Sequence, residues 1–598
     1  MRRLFIATTI LFLFSTAFAR IDINVIYPRE NQQIPQVDST FIFGSVPAGA
    51  RLTVNEVKVP VYNSGGWITY LKIAPGQFTF HITASRKGET STFDRTIQVG
   101  PIVTPESLAA KQQAQSPHPG TRAIYFVGDT FEFSYIAPRN GDGWFQIDDC
   151  DPVNMFHSDT VTQINPASVF GKVPQSTAVD SSQITYIGYY RFAETDTGMH
   201  TICYGFHNRN LSEGENPVVY RKCLDSILTV LPEFPPVVGK LIGQSQIVRT
   251  GPQLGYKLLY QPPGVMIHIT GLRDDYYQLS LADAITGFVN VDSVELMPQG
   301  TALPDGRVSY ITVDTVGDAV QISADVGVQA PFEINETLDP PTIDVDLYGV
   351  TGAVDWIRYN TTHPSANIMQ WYQPQDKVFR LSIDVAAARI WGYKAYYDGT
   401  KFVLKVKNEP KHKRGSLKGL KIAIDPGHSH DPGAIGPTGL READANLAIA
   451  LVLRNLLTNK GANVMMTRTG NEDVKLHDRP IIAEKWGADI LVSVHNNALP
   501  DGIDPFENNG TAAYYYHPHS MPLAEAIHNH MLKDTKLRDE GLYYGNLVLT
   551  RPSAMPAVLV ECAFMIIPEQ EAMLRTAKFQ KTCAKAIMEG VEDFVKGK

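Results

Sequence analysis

The sequence predicts a multidomain protein, in which all-β modules precede one C-terminal α/β domain with a mainly parallel sheet flanked by helices. Three observations lead to this fold class. The chain has 598 residues, far more than one hydrophobic core usually organises. Short runs of alternating apolar residues fill the chain to about residue 410. Beyond that point, apolar strands alternate with amphipathic helices, which is typical of a parallel sheet covered on both faces.

The N-terminus has the pattern of a cleaved secretory signal over residues 1–19. Two arginines precede an apolar run from Leu4 to Phe14, and the final Ala-Phe-Ala has the small residues of a signal-peptidase site. An uncleaved anchor is the alternative, but the apolar run is short for a membrane span. We therefore expect an exported protein of the periplasm, the cell envelope or the extracellular space, with no transmembrane segment in the mature chain.

Composition and cysteine content narrow the function classes. A net charge of −9 and a pI near 6.0 give no electrostatic basis for binding nucleic acid. Five cysteines are too few for a disulfide scaffold. An oxidising compartment would allow one bridge among Cys150, Cys203 and Cys223, but the sequence does not say which pair forms. Cys562 and Cys583 lie in apolar surroundings and are expected to be small buried residues.

The first part of the all-β region divides into three predicted modules and a linker. Residues 20–100 alternate short strands with Gly-containing turns and resemble immunoglobulin-like modules of bacterial secreted enzymes. Residues 101–120 are rich in Pro, Gln and Ser and are predicted to be a linker. A second β-sandwich-like domain is expected over residues 121–235. Residues 236–300 resemble a bacterial SH3-like barrel, with short strands and a Gly-Phe-Val turn before the last one.

Residues 301–408 are again strand-like and are predicted to form a β accessory module. Residues 409–418 combine Lys and Arg with Gly and Ser without periodicity, which favours a solvated linker. Four aromatic residues are candidates for a glycan-binding platform, although β propensity and core packing explain them as well. These are Tyr276, Tyr277, Trp371 and Tyr372.

The predicted α/β domain covers residues 419–598. A short buried strand at Lys421–Asp425 precedes a helix at Glu442–Leu457, in which apolar residues recur at the i, i+3, i+4 spacing of one helix face. The other predicted elements are strands at ANVMMTRT, Ile490–Val494 and Ala557–Val560, an edge strand at TAAYYYHP, and helices at RPIIAEKWGAD, PLAEAIHNHMLK and Glu569–Val595.

Ionisable residues follow three strands of this predicted sheet. His428 comes after KIAID, His495 after ILVSV and Glu561 directly after AVLV, so all three are expected at the carboxyl edge of the sheet. A loop rich in Gly and Pro brings back Glu442 from the start of the first helix. A lone His after a strand is more often a turn residue, but four such residues converge here. Two imidazoles and one carboxylate are a ligand set of catalytic zinc, with the fourth position left for water.

The segment from Lys421 to the C-terminus resembles the zinc-dependent N-acetylmuramoyl-L-alanine amidases of bacterial cell-wall turnover. The matching segments occur in the family's order: IAIDPGH, GPTGLREADANLAIALVLRNLL, VMMTRTGNEDVKLHDRPIIAEKWGADILVSVHNNA, NGTAAYYY and MPAVLVECAF. The resemblance implies that His428, Glu442 and His495 bind zinc and that Glu561 is catalytic. It also places the preceding β region among the accessory modules of such enzymes.

The chain departs from the family pattern at two places. Ser429 and His430 follow DPGH where the family usually has two glycines. Residues 563–567 read AFMII where the family commonly has G-F-L-S-N, which is expected to alter the rim of the pocket. All four chemical positions are kept, so an active enzyme is expected.

The resemblance implies hydrolysis of the amide between N-acetylmuramic acid and L-alanine in peptidoglycan, with the β modules targeting the enzyme to the wall. Zn²⁺ would acidify water and polarise the scissile carbonyl, and Glu561 would act as general base. The residues alone predict only a zinc hydrolase of an amide-like bond. Two alternatives stay open: a zinc peptidase acting within the stem peptides, and a non-catalytic wall-binding protein. The sequence identifies no activator protein.

Overall fold

The computed structural model describes most of the chain between residues 21 and 597. The predicted signal peptide at 1–19 and the predicted linker at 101–120 lie outside the described residues. In the described part of the chain, no helix combines the length and the apolar content needed to cross a bilayer. The description omits, within that span, residues 36, 101–121, 139–140, 159–182, 209–218, 225–226, 244–245, 253, 362–367 and 413–414.

The first β module consists of two sheets that face each other across an apolar core. One sheet has the strand order β1-β3-β6 and the other β2-β8-β7-β4-β5. Trp67 and Phe80, one from each sheet, are fully buried between them. The strands are β1 Asn24–Tyr27, β2 Gln32–Ile34, β3 Ser39–Ser45, β4 Arg51–Val54, β5 Val57–Val59, β6 Gly66–Lys72, β7 Gly76–Arg86 and β8 Glu89–Val99.

The second β region is held by aromatic packing and by one disulfide. Phe131, Phe133 and Phe145 are fully buried in its core. Cys203 and Cys223 are register partners on adjacent strands and are disulfide-bonded, which selects one of the pairs that the sequence left open, while Cys150 is exposed and free. The strands are β9 Arg122–Phe126, β10 Thr130–Pro138, β11 Gly141–Ile147, β12 Val153–Asn154, β13 Phe156–Ser158, β14 Gln183–Arg191, β15 Gly198–His200, β16 Ile202–Asn208, β17 Val219–Cys223 and β18 Ile227–Leu231.

The third β region shares a ten-stranded sheet with strands of the second. β22 pairs with β9 through Leu272 and Ile124, so the sheet continues across the boundary predicted at residue 235. The immunoglobulin-like and SH3-like identities of these regions stay predictions. The strands are β19 Val237–Leu241, β20 Gln246–Arg249, β21 Tyr256–Gln261, β22 Met266–Arg273, β23 Tyr276–Ala282, β24 Ile285–Asn290 and β25 Val294–Leu296.

The accessory module, as we call β26 to β34, packs two sheets around a second large apolar core. The sheets have the orders β30-β26-β27-β34-β33 and β28-β29-β32-β31. Phe379 and Leu404, one from each sheet, are fully buried in this core. The strands are β26 Gly306–Val316, β27 Ala319–Asp325, β28 Phe332–Leu338, β29 Pro341–Tyr348, β30 Val350–Tyr359, β31 Ile368–Gln375, β32 Val378–Asp384, β33 Tyr393–Asp398 and β34 Lys401–Lys407.

The C-terminal domain has a six-stranded sheet in the order β36-β35-β37-β40-β38-β39, with helices on both faces. All neighbouring strands are parallel except β38 and β40, which confirms the prediction of a mainly parallel sheet. The elements are β35 Lys421–Pro426, α1 Glu442–Asn459, β36 Asn463–Met466, α2 Asp478–Trp486, β37 Ile490–Asn497, β38 Thr511–Tyr515, α3 Met521–Thr535, β39 Asp539–Tyr544, β40 Ala557–Phe564, α4 Pro568–Leu574 and α5 Ala577–Lys596.

Apolar faces of the helices pack against this sheet. Ile449 of α1, Ile527 of α3 and Ile587 of α5 meet Ile424 and Val560 in one fully buried core. The sequence predicted these faces because apolar residues recur at helical spacing. The opposite face of the sheet has a smaller core that includes Ala483 of α2. Cys562 and Cys583 are buried, as predicted.

Two details of the predicted C-terminal domain are wrong. The segment TAAYYYHP is not an edge strand, because β39 lies outside it in the sheet. β39 carries Asp, Glu and Gly, residues of low strand propensity, and was not predicted. The predicted final helix is two helices, separated at Arg575 and Thr576. The Thr576 hydroxyl caps the second helix by accepting from the Phe579 amide at 3.2 Å.

Candidate metal centre

Three strands bring the predicted site residues to one edge of the sheet. β35 ends at Pro426, which pairs with Val494, and His428 follows two residues later. His495 of β37 and Glu561 of β40 are register partners on adjacent parallel strands. The carboxyl ends of parallel strands meet at the same edge, so this convergence follows from the strand order.

His428, Glu442 and His495 form a tight cluster. The Nε2 atom of His428 lies 3.1 Å from Oε2 of Glu442, and Nδ1 of His495 lies 3.0 Å from Oε1 of the same carboxylate. One ligand atom from each residue lies within 4.8 Å of the others, as required for binding one metal ion. The structure thus brings together all three residues predicted as ligands, and their metal-binding role stays a prediction. His430 is exposed and lies outside the cluster.

Glu442 and the neighbouring histidines shift the pKa values of the cluster. Burial alone would raise the pKa of Glu442, but hydrogen bonds and charge from His428 and His495 outweigh burial and hold the pKa well below its ordinary value. For His428 burial acts in the opposite sense, lowering the pKa, while Glu442 and Asp431 raise it above its ordinary value. The carboxylate is therefore ionised and faces two imidazoles, which is the donor chemistry of a zinc site.

Two glycines make room for this packing. A Cβ at Gly427 would lie 2.1 Å from Nε2 of His495, and a Cβ at Gly433 would lie 2.5 Å from Oε2 of Glu442. Both positions therefore exclude any side chain, and Gly433 also has a positive φ of 67°. The loop curls closely around the cluster, as its Gly and Pro content predicted.

Neighbouring side chains orient two of the three candidate ligands, His428 and Glu442. Asp431 lies 2.8 Å from Nδ1 of His428, which directs Nε2 towards Glu442. Asn446 donates at 3.1 Å to both the Gly427 carbonyl and Oε1 of Glu442, and Asn496 donates at 2.8 Å to Asn446. These positions were not predicted. Their signals were Asp431 three residues after His428 and Asn446 one helical turn after Glu442.

Two buried arginines hold the turn that carries His428. His428 has a φ of 59°, in the left-handed region that non-Gly residues adopt at a cost. Arg479 donates to the carbonyls of Pro426 and His428 at 2.9 and 2.8 Å, and Arg468 donates to the carbonyls of Pro426 and Gly427 at 2.9 Å. The arginines thus fix the backbone on both sides of the strained turn. Neither arginine was predicted to take part.

Glu561 faces the cluster without being part of it. Its Oε2 atom is shielded from solvent and has no hydrogen-bond partner among the described residues. Burial raises the pKa of the carboxyl well above its ordinary value, and the charges of Glu442 and Cys562 raise it further. An unpaired buried carboxylate is costly unless it has a task.

The first β module packs against the segment that follows Glu561. Ile566 and Ile567, within the segment that departs from the family pattern, pack with Phe564 against Phe41 and Ile68 of that module. This contact gives the departure a structural reason, because these apolar residues form a domain interface.

Hydrogen bonds reinforce the same interface. The Tyr27 hydroxyl donates to both oxygens of Asp501, at 2.7 and 2.8 Å, and the Thr40 hydroxyl donates to Oδ1 at 2.6 Å. Tyr70 donates to the Gly502 carbonyl at 2.9 Å. Asp501 follows His495 by six residues, so the first β module is hydrogen-bonded to the loop that comes directly after β37 and its candidate ligand His495.

The C-terminal domain is an α/β domain with a possible metal-binding group, formed by His428, Glu442 and His495, at one edge of its sheet. The family described as N-acetylmuramoyl-L-alanine amidase matches residues 422–593. A sporulation-specific N-acetylmuramoyl-L-alanine amidase of Bacillus subtilis is 36% identical over 179 residues, which cover 29% of this chain and 67% of the relative. The chain belongs to this amidase family through its C-terminal domain, as the sequence resemblance implied.

Two further relatives match the same region. The N-acetylmuramoyl-L-alanine amidase AmiA of Escherichia coli is 31% identical over 228 residues, covering 31% of this chain and 78% of AmiA. The crystal structure of an N-acetylmuramoyl-L-alanine amidase of Clostridium difficile 630 is 33% identical, covers 31% of this chain and 100% of its own, and has a TM-score of 0.29. The chain spans between 59% and 78% of the length of the curated relatives it matches.

Proposed function

We propose that this chain is an exported zinc-dependent enzyme that hydrolyses the amide between N-acetylmuramic acid and L-alanine in peptidoglycan. The observation that carries the proposal is the meeting of His428, Glu442 and His495 at one sheet edge, with Glu561 across the strand register from His495. The names of the relatives support the substrate class. The N-terminal sequence pattern supports export.

The residues at the sheet edge fit a zinc ion. Two imidazoles and one carboxylate are the ligands that catalytic zinc takes, and the glycines at 427 and 433 leave a cradle that a Cβ would fill. His428, Glu442 and His495 would hold the ion. When bound, zinc lowers the pKa of water to about 7 and polarises a carbonyl group.

Glu561 would move the proton in the reaction. As general base, its free Oε2 would accept a proton from the attacking water, and as general acid it would pass that proton to the leaving amine of L-alanine. Burial raises the pKa of this carboxyl above its ordinary value, so the group would take up a proton more readily than an exposed glutamate. The rigid strand β40 would keep this carboxylate in position.

The accessory module would increase binding to the wall. Of the four aromatic residues predicted as a glycan platform, Tyr277 and Trp371 pack partly against apolar cores, and Tyr372 is exposed. Tyr310 and Trp356, on the other sheet of this module, would form a better platform, because they are register partners on parallel strands and are 46% and 77% exposed. Two exposed aromatic side chains on neighbouring strands suit stacking against sugar rings.

A zinc peptidase acting within the stem peptides is the second candidate, because the same ligand set serves both reactions. Muropeptide products distinguish the two. The amidase releases stem peptides with a free L-alanine amine and leaves the lactyl carboxylate on the glycan, whereas the peptidase cuts between amino acids.

The test combines metal analysis with wall digestion by the full mature chain. We expect zinc in the purified protein, a lower zinc content in His428→Ala and His495→Ala, and new alanine amines in digested walls. Full zinc retention in both variants would contradict the ligand assignment. Products cut only within the stem peptide would contradict the amidase reaction.

A further inference from the structure

A second cluster of metal-ligand residues lies between the accessory module and the amidase domain. Glu336 comes from β28, while His517 and His519 flank Pro518 just after β38. Nδ1 of His519 lies 2.9 Å from both carboxylate oxygens of Glu336, and Nδ1 of His517 lies 3.5 Å from Oε1. The side chains of Glu336 and His519 are fully buried. Sequence analysis did not predict this cluster.

The separations match those at the amidase centre. Metal–ligand distances of about 2.0–2.1 Å in a tetrahedral zinc site place neighbouring ligand atoms about 3.3–3.4 Å apart. Glu442 lies 3.0 and 3.1 Å from its two histidines, and Glu336 lies 2.9 and 3.5 Å from its own. The two imidazole rings of the second cluster are nearly parallel, with an interplanar angle of 14°.

The partner of His517 orients its ring. Nε2 of His517 lies 2.7 Å from the carbonyl oxygen of Arg551, and because a carbonyl only accepts, Nε2 carries a hydrogen. Nδ1, the other ring nitrogen, faces Oε1 of Glu336 and is the atom that would bind an ion there.

His519 lies against the same carboxylate. Its ring is fully buried, its Nδ1 atom is 2.9 Å from Oε2 of Glu336, and its Nε2 atom has no hydrogen-bond partner among the described residues. A buried carboxylate needs a partner of opposite charge, which a divalent ion bound by the two Nδ1 atoms would supply.

The surroundings resemble those of a metal site. The Tyr393 hydroxyl donates to Oε1 of Glu336 at 2.8 Å, and the His519 amide donates to Oε2 at 2.9 Å, so the carboxylate is oriented by a second layer of donors. A cavity of about 320 Å³, with Glu336 and His517 in its wall, leaves room for a water ligand and for entry of an ion.

We propose that Glu336, His517 and His519 bind a second divalent metal ion, which fastens the accessory module to the amidase domain. The donor set favours zinc. β38 runs antiparallel to β40, and His517 lies five residues beyond Ala512, the partner of Glu561, or about 17 Å along the strand. The second ion therefore lies towards the opposite ends of the strands from the amidase centre. It would stabilise the contact between the two domains and take no part in hydrolysis.

Zinc stoichiometry of the full mature chain tests this proposal. The metal-free protein is titrated with Zn²⁺, and bound ions are counted by calorimetry and mass spectrometry. We expect two ions per wild-type chain, one in Glu336→Gln, one in Glu442→Gln and none in the double variant. His528→Asn is the matched control. Among the described residues, the ring of this buried histidine pairs with one carboxylate, that of Asp539, so the variant should still bind two ions.

Thermal unfolding supplies a readout independent of amidase activity. In the Glu442→Gln background only the second site remains, so added Zn²⁺ should raise the midpoint temperature, and this rise should vanish when Glu336→Gln or His517→Asn is added. One ion in the wild type, lost in Glu442→Gln but kept in Glu336→Gln, would overturn the proposal. If Glu336→Gln fails to fold, His517→Asn gives the same count, and retention of two ions there would equally overturn it.

Discussion

His495 and Glu561 occupy partnered positions on adjacent parallel strands, so that a candidate metal ligand and a candidate base lie one strand apart at the same edge of the sheet. The strand order makes these two strands neighbours, and their register is specified because a slip by one residue would turn every side chain of a strand to the other face. Because the two side chains are so close together, their roles are best distinguished by substitutions that change the chemistry of one side chain and keep its size.

Replacing Glu561 by Gln should remove catalysis without removing metal. Glutamine keeps the size of the side chain but has no basic oxygen, so we expect wall hydrolysis to fall by about 10²-fold or more with zinc content unchanged. Glu442→Gln should instead lower zinc content, because it loses a charged ligand. Hydrolysis rates and metal analysis are measured on the same samples. Glu525→Gln, at an exposed position of α3, is the control. Zinc loss in Glu561→Gln with zinc retention in Glu442→Gln would mean that the two roles are reversed.

Asn446 should matter for metal affinity although it is no ligand. Its amide orients Oε1 of Glu442 and the Gly427 carbonyl, and loss of such an outer contact typically weakens metal binding by about 10–100-fold. Competition with a zinc chelator should show this loss in Asn446→Ala. Asn455→Ala, an exposed asparagine on the same helix, should bind zinc as the wild type does. Equal affinities in the two variants would mean that Glu442 is oriented by its other contacts.

Local sequence pattern predicted the amidase centre but not its surroundings. His428, His495 and Glu561 were predictable because each follows an apolar strand, and parallel strands align their carboxyl ends. Glu336 and His519 are 183 positions apart in the chain, and neither follows a pattern that points to the other. Contacts between domains depend on how whole modules dock, and no short-range periodicity encodes docking.

Trp356 should contribute to wall binding and not to chemistry. It is the most exposed of the large hydrophobic side chains among the described residues, and its register partner Tyr310 extends the same surface. Trp356→Ala should lower binding to purified walls in a pull-down assay, while hydrolysis of a small soluble muropeptide stays unchanged. Tyr189→Ala, at an exposed aromatic position in another β region, is the control. Unchanged wall binding in Trp356→Ala would exclude this surface as the platform.

The last prediction concerns the first β module, whose contact with the amidase domain was not foreseen. The sequence resemblance implied only that the β modules target the enzyme to the wall. Excision of residues 419–598 would expose Phe564, Ile566 and Ile567, which pack against the first β module. Exposed apolar clusters of this kind promote aggregation. The full chain is therefore the better material for testing the interface.

Asp501→Ala should loosen this interface in the full chain. The substitution leaves the hydroxyls of Tyr27 and Thr40 without their acceptor, at a cost of about 1–3 kcal/mol for each donor that stays buried. We expect faster hydrogen exchange in β1 and β3, because the module would separate more often from the loop after His495. Glu507→Ala, at an exposed position of the same loop, should leave exchange unchanged. If Asp501→Ala leaves exchange at the wild-type rate, the apolar contacts of Ile566 and Ile567 hold the module without help from these hydrogen bonds.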